Sequence, residues 1–160
     1  MLYFAFGSNL HHKQMKKRCK KSVYIGCYSL KGYELVFRNY YFGGGVADIQ
    51  KKKNSYVLGA IYKITKSDEK KLDEYEDYPK TYIKKYFKLF GKKVMFYYMP
   101  KKTKIVPPSK RYINIIIQGY RDCGYRNTHI VISKNKKIKV KWKFLTASCF
   151  MMKKWFWIFV

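Results

Sequence analysis

Carboxylates are scarce in this chain. Nine Asp and Glu stand against 36 Lys and Arg, a formal net charge of +27 over 160 residues. Such a field favours anionic partners: nucleic acid, an acidic membrane surface, or a substrate carrying a carboxylate. The lysines are dispersed between apolar stretches and not gathered into one motif, so a chain-wide compositional bias is the preferred explanation. Cysteine is sparse too. Cys19, Cys27, Cys123 and Cys149 form no C-x-x-C and no paired spacing, which signals neither a zinc site nor a disulfide framework. They read as reduced, packed thiols of a cytoplasmic protein. Histidine is limited to His11, His12 and His129. Adjacent histidines point to different sides of a helix or strand, so no metal is expected, and no other cofactor. No Ser or Cys is set beside a His, which leaves a Ser–His or Cys–His nucleophile unsupported. The first apolar stretch, Leu2 to Phe6, is too short and lacks the basic flank of a secretion signal. The run from Phe144 to Met152 falls well below the roughly 20 residues of a membrane span.

What is present is a folded domain. The chain is 48% apolar and 19% aromatic, which excludes wholesale disorder and suits one domain with a core. "LYFAF" reads as a buried strand that runs into Gly7-Ser8-Asn9, residues that turn a backbone sharply. That turn is either a plain turn or a backbone cradle for an anion or oxyanion. "HHKQMKKRCKK" reads as a short surface helix or loop. "SVYIGCYSLKGYELVFR" gives one or two strands broken at Gly26 and Gly32, with "GGGVADIQ" and "SYVLGAIYKI" as further strands. "TYIKKYFKLF" and "KKVMFYYM" form a hairpin about Gly91-Lys92. Tyr112, Ile115, Ile116, Tyr120 and Cys123 recur at the spacing of one buried helix face, closed by Gly124. The order predicts an α+β fold: a mostly antiparallel, barrel-like sheet with two or three helices.

The few carboxylates are concentrated. Six of the nine lie in "SDEKKLDEYEDYP": Asp68, Glu69, Asp73, Glu74, Glu76 and Asp77. The segment reads as a helix with Ser67 as N-cap, Asp68 and Glu69 at the positive end of the dipole, and Pro79 beyond the stop. Glu76 follows Leu72 by four residues and shares its inward face, whereas Glu74 points away. A carboxylate among apolar neighbours has its pKa pushed up and suits general acid–base work near neutrality. A solvated acidic face answering Lys70, Lys71 and Lys80 accounts for the same residues.

Three stretches together carry a resemblance. "YFAFGSNL", "LDEYEDYP" and "PPSKRYINIIIQGYRDCG", with "GGGVADI" as a weaker fourth, resemble the γ-glutamylcyclotransferase family in order and spacing from Met1 to about Ile132. The resemblance implies a cyclotransferase-like domain over residues 1–132, leaving 133–160 as a basic, aromatic C-terminal tail of unknown role. It implies conversion of γ-glutamyl amino acids or peptides to 5-oxoproline and a free amino acid, by attack of the substrate's own α-amine. Glu76 then matches the proton-shuttling glutamate. Tyr3, Phe4, Ala5, Phe6, Gly7, Ser8 and Asn9 match the loop that holds the glutamyl moiety. Tyr112 matches the tyrosine heading the late helix, and Tyr82 lies near another substrate-side tyrosine. The partner expected is a small γ-glutamyl molecule; nucleic-acid or membrane contact is not favoured, and a homodimer is left open. Alternatives are a γ-glutamylamine cyclotransferase, or a non-catalytic member that binds nucleic acid or an acidic membrane through its charge. Two departures stand out: Phe6 where Tyr is usual, and Asp77 where Gly is usual.

Overall fold

The computed structural model describes residues 1–40, 44–125, 129–132 and 138–141. Strand β1 (Leu2–Ala5) leads through a 3-10 turn (Ser8–Leu10) to helix α1 (His12–Arg18). Two long strands follow, β2 (Val23–Tyr40) and β3 (Gly44–Lys63). Helix α2 (Lys66–Tyr75), strands β4 (Ile83–Leu89) and β5 (Lys92–Tyr98), helix α3 (Lys110–Asp122), and strands β6 (His129–Ile132) and β7 (Ile138–Lys141) complete the order. One five-stranded sheet has the order β2-β3-β1-β5-β4, and β6-β7 form a separate pair. Within the main sheet only β1–β5 is parallel. The expected α+β class and mostly antiparallel sheet are therefore the observed architecture.

The sheet curls on itself. Tyr28 of edge strand β2 stacks on Phe87 of the opposite edge strand β4, with centroids 5.3 Å apart and planes 11° from parallel. Phe4 meets both rings edge-on from the centre of the sheet. Strand β1 is buried along its whole length, because it runs through the middle of the sheet and both of its faces are covered. That explains an opening segment with no polar relief.

Where the sequence suggests several short strands, the chain makes two long ones. Lys31 pairs with Tyr56 and Tyr33 with Lys51, so Lys52–Ser55 loop out opposite Gly32. This irregularity bends the ribbon without ending it. Its distal half returns Leu35, Phe37, Ala47 and Ile49 to the core. Buried Arg38 and Asp48 join across the ribbon, Nε to Oδ2 at 2.8 Å. Asp48 also accepts from the Met99 N–H, and Arg38 donates to the Thr103 carbonyl, which pins the segment after β5.

Helix α2 begins two residues earlier than "SDE" suggests. Its N-cap is Thr65, not Ser67, and Thr65 and Asp68 exchange side-chain-to-backbone bonds as a capping box. Asp68 is buried because it completes that box. In α3 the N-cap is Ser109, and Gly119 lies against the 3-10 turn: a Cβ there would come within 2.6 Å of the His11 nitrogen. Glycine thus lets α3 seat directly on the turn that follows β1. The β4–β5 hairpin turns at Phe90 and Gly91, both at positive φ.

The cysteines divide. Cys19 and Cys123 are free and buried, but Cys27 is disulfide-bonded, which corrects the expectation of reduced thiols throughout. The fold also brings a Cys to a His, which linear spacing did not suggest: Cys123 Sγ lies 3.8 Å from His12 Nε2. Burial pushes the Cys123 thiol up to about 12, so it is held as a thiol and not as a nucleophilic thiolate. Among the described residues, no helix is long and apolar enough to cross a membrane. The residues from 142 onward, most of the segment set apart as a tail, lie outside those described.

Candidate active site

A cavity of about 190 Å³ opens where the end of β1, the 3-10 turn, the C-terminus of α2 and the start of α3 converge. Each element delivers specific groups. Tyr3 comes from β1, whose alternation sends Phe4 the other way, into the aromatic core. The turn brings Gly7, Ser8 and Asn9, and leaves the first N–H groups of the 3-10 helix without intrahelical partners. Tyr112 from α3 reaches across to accept the Ala47 N–H at 3.2 Å. Tyr82 donates to the Ala47 carbonyl at 2.7 Å. The two tyrosines therefore clamp one residue of β3 from its two polar sides.

Glu76 is the capping residue at the end of α2, with φ −86° and ψ 3°. The next residue, Asp77, has φ 51°. That left-handed conformation ends the helix as glycine often does, and Asp is among the few side chains that tolerate it. Thr81 Oγ1 donates to the Asp77 carboxylate at 2.6 Å, which braces the turn. The helix therefore stops where Glu76 can face inward.

The six clustered carboxylates have separate employments. Asp68 caps the helix. Glu69 and Asp73 share the ammonium of Lys84, and Asp73 also accepts from the Tyr97 hydroxyl at 2.6 Å. Asp77 holds Thr81, and Glu74 faces solvent. Glu76 alone takes its hydrogen bond from Asn9, whose Nδ2 donates to Oε1 at 2.8 Å, and among the described residues it has no ion pair. Burial pushes its carboxyl up to about 7, against the lowering effects of Arg18 and of the Asn9 hydrogen bond. The group is half ionised near neutral pH, so it can both take up and return a proton.

Around it stand phenols. Tyr3, Tyr82, Tyr97 and Tyr112 are each raised, burial being the first cause and the charge of Glu76 adding to it. All four are neutral hydroxyls at physiological pH, positioned to hydrogen-bond without competing as acids. Gly7 has no room to spare. A Cβ there would sit 3.2 Å from Ala47 Cβ and 3.4 Å from the Tyr112 hydroxyl, inside the cavity mouth.

The structure brings together Tyr3, Phe6, Gly7, Ser8, Asn9, Glu76, Tyr82 and Tyr112 of the residues singled out from sequence. Phe4 and Ala5 do not line the cavity. Phe4 packs on Phe6, Tyr28 and Phe87, and Ala5 is fully buried opposite Ala60 in β3. Sequence reasoning missed Tyr40, Ala47, Tyr75 and Tyr97 in the lining, and Arg18 just behind it. Tyr97 carried a signal, since alternation in "KKVMFYYM" assigns it a face. Arg18, one cation among many in its segment, carried none.

Residues 3–114 match the family described as Gamma-glutamyl cyclotransferase, AIG2-like. A gamma-glutamylcyclotransferase of Mus musculus is 28% identical over 134 residues, covering 77% of this chain and 71% of its own length. The gamma-glutamylcyclotransferase of Homo sapiens is 29% identical over the same extent. A solved structure named gamma-glutamyl cyclotransferase superposes with a TM-score of 0.68 at 28% identity, over 78% of this chain and 80% of its own.

Proposed function

Because the chain belongs to the gamma-glutamyl cyclotransferase, AIG2-like family, we propose that it cyclises γ-glutamyl amino acids or peptides to 5-oxoproline with release of the amino acid or peptide. The observation that carries this reading is a partly buried carboxylate, raised to about 7, hydrogen-bonded by Asn9 at the floor of a small cavity beside the Gly7–Asn9 turn.

The reaction needs no nucleophile from the protein. The substrate's α-amine nitrogen attacks its own γ-carbonyl carbon, and the γ-amide C–N bond breaks. Orientation dominates such a ring closure; well-placed intramolecular attack reaches effective molarities of roughly 10⁵–10⁸ M. The tyrosine hydroxyls and the turn's N–H groups supply that orientation, and N–H groups of the turn also meet charge developing on the carbonyl oxygen. Ionised Glu76 takes the proton that the amine sheds as the new C–N bond forms. It returns that proton to the departing nitrogen as the old bond breaks. Atoms balance, and the carboxylate is regenerated.

The test is a panel: γ-glutamyl-alanine, glutathione and a γ-glutamylamine, each followed for 5-oxoproline by mass spectrometry. Release from the first or second supports the proposal. Release from the amine alone moves the assignment to a γ-glutamylamine cyclotransferase, and no product from any member overturns the enzymatic reading.

A further inference from the structure

Arg18 does not line the cavity, yet its guanidinium is the most constrained cation near it. Nη1 donates to Asn9 Oδ1 at 2.7 Å and lies 3.5 Å from Ser8 Oγ, while Nη2 donates to Gln14 Oε1 at 2.9 Å, one turn back on α1. Its Cζ sits 3.6 Å from the centroid of Tyr75, the residue before Glu76. Tyr75 in turn shares a hydrogen bond with Ser8 at 3.0 Å. Helix α1 thus clamps the end of α2 to the turn through one side chain.

The clamp matters for Asn9. An amide presents oxygen on one side and NH₂ on the other, and the two are nearly the same size. Asn9 donates from Nδ2 both to Glu76 Oε1 and to Tyr3 Oη, the latter at 3.0 Å. A flipped amide would set its oxygen against the carboxylate and its NH₂ against a guanidinium that can only donate. We propose that Arg18 is a positioning residue of the site: it locks the Asn9 amide with Nδ2 toward Glu76, and it holds a positive charge one side chain away from that carboxylate. No other cation is placed this way among the described residues. The groups that face Glu76 from the remaining elements are phenols, Tyr3 from β1, Tyr97 from β5, Tyr112 from α3 and the Tyr82 that precedes β4; Asp77 adjoins it in the chain.

Loss of the charge removes an influence that opposes burial, so the Glu76 midpoint rises. The catalytic consequence rests on the cyclotransferase reading; the titration does not. Glu76 is followed by ¹³C NMR of glutamate-labelled protein from about pH 5 to about pH 9, on either side of neutrality. The wild type is compared with Arg18→Met, Arg18→Gln and Arg18→Lys, and kcat/KM for a γ-glutamyl dipeptide is recorded over the same range. In either neutral variant the midpoint is expected to rise by about one unit, with kcat/KM depressed most on the acid side and recovering at the alkaline end. Arg18→Lys is expected to restore most of the midpoint. An unmoved midpoint in a folded neutral variant overturns the proposal, as does a loss of kcat/KM that is uniform across pH. Should the wild type turn over no γ-glutamyl substrate, the enzymatic reading falls while the NMR midpoints still decide the role of Arg18.

Discussion

At the scale of single residues, the decisive feature is a carboxylate whose surroundings allow it to be neutral. Glu76 has a folded pKa of about 7 against an ordinary 4.5, so the folded protein holds this proton more tightly than the unfolded chain does. Its contribution to stability is complete below about pH 4.5, is lost as pH rises toward 7, and stays lost above that. Glu76→Gln, which keeps the neutral shape, is therefore expected to melt at a higher temperature than the wild type at pH 8 and at a similar one near pH 4. Equal melting at both would mean that the carboxyl is not raised. Phe6 gives a second check. It lines the cavity without a hydroxyl, so Phe6→Tyr adds a hydrogen-bonding group to that wall. Lower KM with kcat unchanged is expected in steady-state kinetics; a change confined to kcat contradicts a binding role. Glu76 was legible only in part: its place four residues after Leu72 turned it inward, but the helix alone left a solvated acidic face equally open, and the resemblance singled it out. Arg18 was not: it is the one arginine in "KQMKKRCKK", but nothing local to that segment shows that it folds against Asn9.

At the scale of elements, the site depends on how helix ends and strand bends are fixed. The positions of α2, α3 and the β4–β5 hairpin were legible, since caps, a polar–apolar period and a glycine turn mark them locally. The union of "GGGVADIQ" and "SYVLGAIYKI" into the single strand β3 was not. Lys51 to Tyr56 has poor strand propensity, and the ladder with β2 resumes on either side of it, at Lys51 and at Tyr56. The bend brings Ala47 to Tyr82 and Tyr112, so an unforeseen feature of the ribbon builds one wall of the cavity. Asp48, next to Ala47, holds that wall: it is wholly buried and binds Arg38, the Met99 N–H and Lys102. Asp48→Ala leaves the Arg38 guanidinium buried without its carboxylate and is expected to cost about 3–5 kcal/mol in urea unfolding. A loss below about 1 kcal/mol would show that Gln50 Oε1, which accepts from Arg38 Nη2 at 2.7 Å, and the Thr103 carbonyl suffice for Arg38.

At the scale of the whole molecule, the cavity is assembled from residues between Tyr3 and Tyr112, and the family match spans residues 3–114. A chain ending after Ile132 is accordingly expected to keep kcat/KM within about twofold of the full-length protein, a free-energy change well under 1 kcal/mol. Loss of folding, read by circular dichroism, would assign a structural role to the segment beyond. The charge of +27 enters as a weak attraction for any substrate bearing carboxylates and does not itself choose the reaction. The choice rests on Glu76, and the most direct measurement is the pH dependence of 5-oxoproline formation from a γ-glutamyl dipeptide by wild type and Glu76→Gln. A wild-type kcat/KM that rises through a midpoint of about 7 is predicted, with a loss of roughly 10²–10⁴-fold in the variant above that midpoint that narrows toward acid pH, where the wild-type carboxyl is protonated too. Product formed by the variant at the wild-type rate at pH 8 would contradict this.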